Sequence, residues 1–361
     1  MGSLVAEMQP VVRMRHISKS FGQVKANNDV DLDIYGGQIL ALLGENGSGK
    51  TTLMNMLSGI YFPDAGSIEI QGKPVTIASP KDAFEHGIGM VHQHFRLVNV
   101  FSATENIVLG LDESGGFDLK AATERINDIC KTYGFDVNPN QKVYEMSVSQ
   151  KQTVEIVKLI YRGAGILILD EPTAVLTPQE TEKLFAVLRN MRNAGKAIVI
   201  ITHKLHEVEE ISDRVVVLRK GENVGEMVTA KSTTQQMTNM MVGHQVTLNI
   251  ERPTPVDPAE RIRVKGLSVR DDEGILKLDD VSFSAFGGEV LGIAGVSNSG
   301  QKELLEAIAG LQSIESGSIQ YVVDNGEVRE LAGKDPYQIS SMGWRSRLSQ
   351  RTAWAWDSLA A

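Results

Sequence analysis

The sequence predicts an α/β protein built on a mainly parallel sheet, and three observations carry that reading. An apolar run, Gln38-Ile39-Leu40-Ala41-Leu42-Leu43, leads straight into the glycine-rich stretch Gly44–Thr51, and Thr51-Thr52-Leu53-Met54-Asn55-Met56-Leu57 then reads as a helix. Two further short apolar runs, Ile166–Leu169 and Ala197–Thr202, each close on polar residues, Asp170-Glu171 and His203. Much of the N-terminal pattern then recurs 251 residues downstream. Short runs without apolar–polar alternation suit strands buried on both faces, and helices between them imply parallel crossovers.

The glycine-rich stretch, Gly44-Glu45-Asn46-Gly47-Ser48-Gly49-Lys50-Thr51, satisfies every fixed position of the phosphate-loop pattern G-x-x-x-x-G-K-[ST]. Its glycines let the backbone curl so that N–H groups point at phosphate oxygens, and the N-terminus of the following helix, with Thr52, reinforces them. Lys50 is expected to reach the β- and γ-phosphates, and the Thr51 hydroxyl to ligate Mg²⁺. A chance glycine-rich turn is the competing reading, and the residues that follow weigh against it.

Asp170 and Glu171 end a buried strand, where side chains of a parallel sheet face the ligand crevice. Asp170 is expected to hold Mg²⁺, directly or through water, and Glu171 to polarise the water that attacks the γ-phosphorus. His203 ends another strand, and its imidazole could hydrogen-bond the γ-phosphate and hold Glu171 and the water in line.

Composition sets limits. The 361 residues suffice for two cores, and the 42% hydrophobic and 22% charged shares are those of ordinary globular chains. A net charge of −9 argues against a nucleic-acid partner. The single cysteine, Cys130, leaves no intrachain disulfide framework and points weakly to a reducing, cytoplasmic setting. No apolar run has the roughly 20 residues a membrane helix needs, and the N-terminus shows no signal-peptide core. Membrane association would then go through a partner.

The repeat maps Val30 onto Val281, Gly36-Gly37 onto Gly287-Gly288, Gly59 onto Gly310 and Gly66-Ser67-Ile68 onto Gly317-Ser318-Ile319. A β-meander, a strand, the loop, a helix and a return strand are therefore expected twice. The domain boundaries read as 1–249, a proline-rich linker over 250–260, and a partial second copy over 261–361. The second loop, Gly295-Val296-Ser297-Asn298-Ser299-Gly300-Gln301-Lys302, puts Gln301 where the lysine belongs and Lys302 where the hydroxyl belongs. It is expected to bind nucleotide weakly at most, without hydrolysis.

Taken together, these motifs resemble the ATP-binding cassette (ABC) ATPase family across residues 11–342. Phe21 matches the aromatic that stacks on adenine, with core packing as the alternative. Gln93, in Val91-His92-Gln93-His94-Phe95, matches the glutamine that touches Mg²⁺ and senses the membrane partner, with loop capping as the alternative. Ser147-Val148-Ser149-Gln150 stands where the Ser-Gly-Gly-Gln signature belongs. His92, His94 and Cys130 read as structural. The resemblance implies an ABC-type fold with an antiparallel β-subdomain and a helical subdomain. It further implies ATP and Mg²⁺ as ligands, and a sandwich, between domains or in a homodimer, that pairs one loop with the other partner's signature.

Within the family, Met90–Phe95, Thr104-Glu105-Asn106-Ile107-Val108-Leu109-Gly110 and Asp170–Pro178 resemble ATPases of nucleoside and simple-sugar importers. That branch works with membrane permease subunits and a basic-membrane-protein-type lipoprotein, at the cytoplasmic face of the membrane. Competing readings are a truncated remnant that binds ATP without supporting transport, and a soluble ABC protein acting on ribosomes or DNA repair. Where the family has glycine, Ser149 would cost about 1–2 kcal/mol if its backbone required positive φ. The family pattern stops at Trp344. Codons for Trp354-Ala355-Trp356-Asp357 read in a shifted frame allow Leu-Gly-Met-Gly, so the tail 344–361 is expected to be a frameshift product that cuts short the second domain and its signature.

Overall fold

A computed structural model describes residues 9–92, 95–111, 118–245, 258–271, 274–295 and 299–344. The chain divides into two compact units, Met1–Asn249 and Ile250–Ala361.

The first unit opens with β1 (Val12–Phe21), β2 (Val24–Ile34), β3 (Ile39–Leu43), α1 (Lys50–Leu57), β4 (Ala65–Ile70) and β5 (Lys73–Val75). It continues with α2 (Pro80–Glu85), β6 (Ile88–Val91), α3 (Ala103–Val108), α4 (Leu119–Tyr133) and α5 (Val148–Tyr161). It closes with β7 (Ile166–Asp170), α6 (Pro178–Asn193), β8 (Ala197–Thr202), α7 (Leu205–Ile211), β9 (Arg214–Arg219), β10 (Glu222–Val228) and α8 (Thr234–Val242).

Six strands form the main sheet in the order β10-β9-β3-β8-β7-β6, all parallel except the β9–β10 pair. Alternate residues of each strand enter opposite cores, as the pleat requires. Leu40, Leu42, Ile168 and Val199 join Leu53, Met54 and Leu57 of α1 on one face, while Leu167, Leu169, Ile198 and Ile200 join Ile126, Val157 and Phe185 on the other. In the register, Leu43 lies opposite Thr202 and Asp170 opposite Ile201, so three chain segments leave the sheet together at the C-terminal ends of its parallel strands. A second, antiparallel sheet runs β2-β1-β4-β5.

The helical layer is pinned by the Thr104-Glu105-Asn106 run. Asn106 is fully buried, accepts from Val98 N–H at 2.7 Å and donates to the Val98 and Ser102 carbonyls at 3.1 and 3.0 Å. Ser102 and Glu105 form a capping box on α3. The Ser102 backbone N–H, together with the Lys142 ammonium, holds the Glu105 carboxyl down at about 2.

The second unit comprises β11 (Glu260–Arg270), β12 (Leu276–Phe286), α9 (Gln301–Ile308), β13 (Ser316–Val322), β14 (Val328–Glu330) and α10 (Pro336–Ser341). Its sheet order, β12-β11-β13-β14, repeats that of the first unit's antiparallel sheet. The two copies share fine detail. A Cβ on Gly49 (φ 97°) would sit 2.2 Å from the Ala26 carbonyl oxygen, and one on Gly300 (φ 83°) 2.5 Å from that of Lys277, the residue 251 positions on.

Two expectations for this unit need correction. Its sheet is antiparallel throughout the described residues rather than mainly parallel, and the strand expected before the second loop is not formed there. The reason lies in β3, which exists through pairing with β8 and β9, strands that follow it by more than 150 residues. Residues 290–295 have no such partners among the described residues, and Val290 remains 77% exposed. The expected frameshifted tail lies outside the described residues except for Trp344, whose ring packs edge-on against Tyr321 with centroids 5.6 Å apart.

Candidate active site

The loop 44–49 joins β3 to α1 at the C-terminal ends of the parallel strands, where Glu171 and His203 also emerge. Its curl depends on glycine at defined places. A Cβ on Gly44 would meet the Leu218 carbonyl oxygen at 2.2 Å and Ser48 Oγ at 2.5 Å, whereas one on Gly47 (φ 81°) would meet nothing within 4 Å. Gly49 caps α1 in the left-handed region, and its carbonyl accepts from the fully buried Asn27 amide at 3.3 Å. The first N–H groups of α1, from Lys50, Thr51 and Thr52, open the helix where no intrahelical acceptor precedes them.

Lys50 is only 6% exposed, and its ammonium donates to the Gly44 and Glu45 carbonyls, both at 2.8 Å. Burial pulls its pKa down, while the nearby carboxylates of Glu171, Asp170 and Glu45 act to hold it up. Thr51 Oγ1 lies 3.1 Å from Asp170 Oδ2. Burial raises the Asp170 pKa, against the lowering effect of the Thr51 hydroxyl. A hydroxyl and a carboxyl presented side by side are hard oxygen donors, the set that suits Mg²⁺. Glu171 follows β7 at φ 47°, its N–H held by the Ile201 carbonyl at 2.9 Å, and its Oε1 lies 2.9 Å from His203 Nδ1.

Residues 27–174 match the family model described as ABC transporter. The chain belongs to the ABC transporter family. It is 43% identical over 314 residues to the nucleoside import ATP-binding protein NupA of Lactococcus lactis, covering 86% of this chain and 62% of that one. It is also 43% identical over 338 residues to the guanosine import ATP-binding protein NupO of Bacillus subtilis, covering 93% and 65%. A ribose import ATP-binding protein, RbsA of Caldanaerobacter subterraneus, is 39% identical over 315 residues, with 86% and 62% covered. The chain thus spans less than two thirds of the length of these relatives. Among solved structures, a nucleotide-free ATP-binding cassette from an ABC transporter has the same fold, at a TM-score of 0.56 and 23% identity over 65% of this chain and 96% of that one.

In this ABC chain the segment 147–150, expected from sequence to be the signature, belongs to the helical layer. Ser147 caps α5 and forms a capping box with Gln150. Ser149 lies inside α5 rather than at a positive-φ position, so the β-carbon penalty considered from sequence does not arise. Its hydroxyl sits 3.1 Å from that of Ser147 and helps hold the Glu180 carboxyl below its usual range. Ser147, Ser149 and Gln150 line a cleft of about 690 Å³ with Glu180 and Lys183. Among the described residues no hydrogen bond joins them to the 44–51 loop.

Phe21 stands at the end of β1, 45% exposed rather than in the core, with its ring edge-on to Tyr61 at 5.2 Å. Gln93 and His94 lie outside the described residues. Neither Asn27 nor Tyr61 is singled out by motif. The one available hint for Asn27 is a polar residue inside a strand, 22 positions before the glycine it supports.

In the second unit, Gln301 donates to the Ile293 carbonyl at 3.2 Å, and Lys302 points outward, 77% exposed, toward Glu306 at 3.7 Å. Among the described residues, the ammonium that fills the first loop thus has no counterpart in the second.

Proposed function

We propose that this chain binds ATP at the 44–52 loop and hydrolyses it, as the energy-supplying subunit of an importer. The observation that carries this reading is Lys50, buried with its ammonium on the loop's own carbonyls beside the Asp170-Glu171 carboxylates. An ammonium held there exchanges carbonyl oxygens for β- and γ-phosphate oxygens at little reorganisation cost. Gly44, Glu45, Asn46, Gly47, Ser48, Gly49, Lys50, Thr51 and Thr52 form the phosphate cradle, and Phe21 offers a ring face to the base. Thr51 and Asp170, with Gln93, would hold Mg²⁺, which offsets charge on the β- and γ-oxygens. Glu171 takes a proton from the attacking water, while His203, hydrogen-bonded to it, fixes the carboxylate's direction and turns its other ring nitrogen toward the γ-phosphate.

Ser147, Ser149 and Gln150 serve a second cassette across an ATP sandwich, in a homodimer or between domains. Permease subunits carry the cargo, and a substrate-binding lipoprotein delivers it, with this chain at the cytoplasmic face. The relatives' names include nucleoside, guanosine and ribose import, which supports a nucleoside or simple sugar as cargo. The second loop, lacking the ammonium, does not hydrolyse.

The test is phosphate release from Mg-ATP by the purified chain. Turnover that is lost in Glu171→Gln while nucleotide binding persists supports the proposal. Binding without turnover in the unaltered chain would instead favour a transport-incompetent remnant.

A further inference from the structure

Glu171 and His203 sit on different loops, leaving adjacent strands β7 and β8. One buried side chain ties those loops together. Glu207, in the first turn of α7, is 5% exposed, and its Oε1 accepts from Thr173 Oγ1 and pairs with Lys204 Nζ at 2.9 Å. Its Oε2 accepts from Thr202 Oγ1 at 3.3 Å. Thr202 immediately precedes His203, and Thr173 is two residues past Glu171. Lys204 closes the figure by donating to the Thr173 carbonyl at 3.1 Å and its hydroxyl at 3.2 Å. The buried Gln152 amide of α5 also donates to the Pro172 carbonyl at 2.7 Å.

A buried carboxyl is costly unless its oxygens are satisfied, and here both oxygens are satisfied by groups from the two loops. Stability alone would be served as well by an apolar side chain of similar volume. A carboxyl that accepts from both loops instead sets the spacing between them. Its effect falls on the 2.9 Å separation of Glu171 and His203.

We propose that Glu207 is a positioning residue, which through Thr173, Thr202 and Lys204 holds the Glu171 carboxylate and the His203 imidazole in mutual register. The proposal rests on the hydrolytic reading above. A displacement of about 1 Å at a reacting group can cost on the order of 100-fold in rate.

The experiment uses the full chain with Glu207→Gln, and with Thr173→Val as a milder second variant. Each is expected to lower kcat about 10- to 100-fold with KM for Mg-ATP little changed, and Thr173→Ser, which keeps the hydroxyl, to restore it. Amide hydrogen exchange is expected to quicken in 171–176 and 202–205 while β3 and α4 stay protected. A raised KM at unchanged kcat, exchange that is unaltered in those two loops, or quickening across the whole unit would each overturn the proposal. If the unaltered chain releases no phosphate, the hydrolytic reading fails by itself, and the exchange comparison still decides the role of Glu207.

Discussion

His203 Nδ1 lies 2.9 Å from Glu171 Oε1, and Glu171 makes that contact from a left-handed backbone at φ 47°. A β-carbon there costs roughly 1–2 kcal/mol, held in place by the Ile201 carbonyl and by the strands on either side. Glu171→Ala and Glu171→Gly should both abolish turnover. They should differ in stability, since glycine relieves the strain and alanine keeps it. Denaturant midpoints should put Glu171→Gly above Glu171→Ala by about 1 kcal/mol. Equal midpoints would mean the backbone is not strained.

The loop glycines should not be interchangeable. Gly44→Ala drives a methyl into the Leu218 carbonyl, which the neighbouring strand holds fixed, so the loss should reach about 3 kcal/mol and nucleotide binding should fail. Gly47→Ala meets open space and should cost only the left-handed penalty of about 1–2 kcal/mol. Urea unfolding of the two variants side by side would rank them.

The Asp170 pKa is raised by burial. A carboxyl raised in the folded state favours folding fully below its unfolded pKa, and that contribution is lost as pH rises through the folded value. At neutral pH the ionised Asp170 therefore weighs against the fold, and Asp170→Asn should raise the thermal midpoint of the ligand-free chain. The gain should shrink as pH falls through the acid range, because the native carboxyl then carries its own proton. A midpoint difference independent of pH would contradict this.

Asn106→Ala should destabilise the helical layer by about 2–4 kcal/mol, since it strands the Val98 N–H and two carbonyls in a buried place. Exchange protection in α3 should fall before that of β3. Asn106→Asp can still accept from the Val98 N–H but cannot donate to the two carbonyls, and should not restore it.

The strands that carry chemistry are legible in the sequence because continuous apolar runs end on Gly44, Asp170 and His203. Their order in space is not, because β3 takes its neighbours, β8 and β9, from far along the chain, and no local pattern encodes that pairing. The same non-local dependence explains why the run 290–295 reads as a strand yet is not one. The Thr104-Glu105-Asn106 run was readable as a family mark, but its physical role, capping α3 and bonding the segment around Val98, appears only in three dimensions. Ser149 shows the reverse case: a departure that looks costly against a glycine template is an ordinary helical residue. The clamp at Glu207 left a faint trace, a lysine and a glutamate three apart just after His203, indistinguishable from a surface pair without knowledge of its burial.

The matched turns at Gly49 and Gly300 have a wider consequence for how such loops are read. Each glycine is required by a carbonyl pressing against it from the neighbouring hairpin, Ala26 in one copy and Lys277 in the other. That pressure is architectural and persists whether or not a nucleotide ever arrives. Glycine spacing therefore records a shared ancestry of shape, and by that measure the chain would be credited with two equivalent sites. The residue that follows the glycine separates them: an inward ammonium in one copy, and in the other an uncharged amide whose neighbouring lysine faces water.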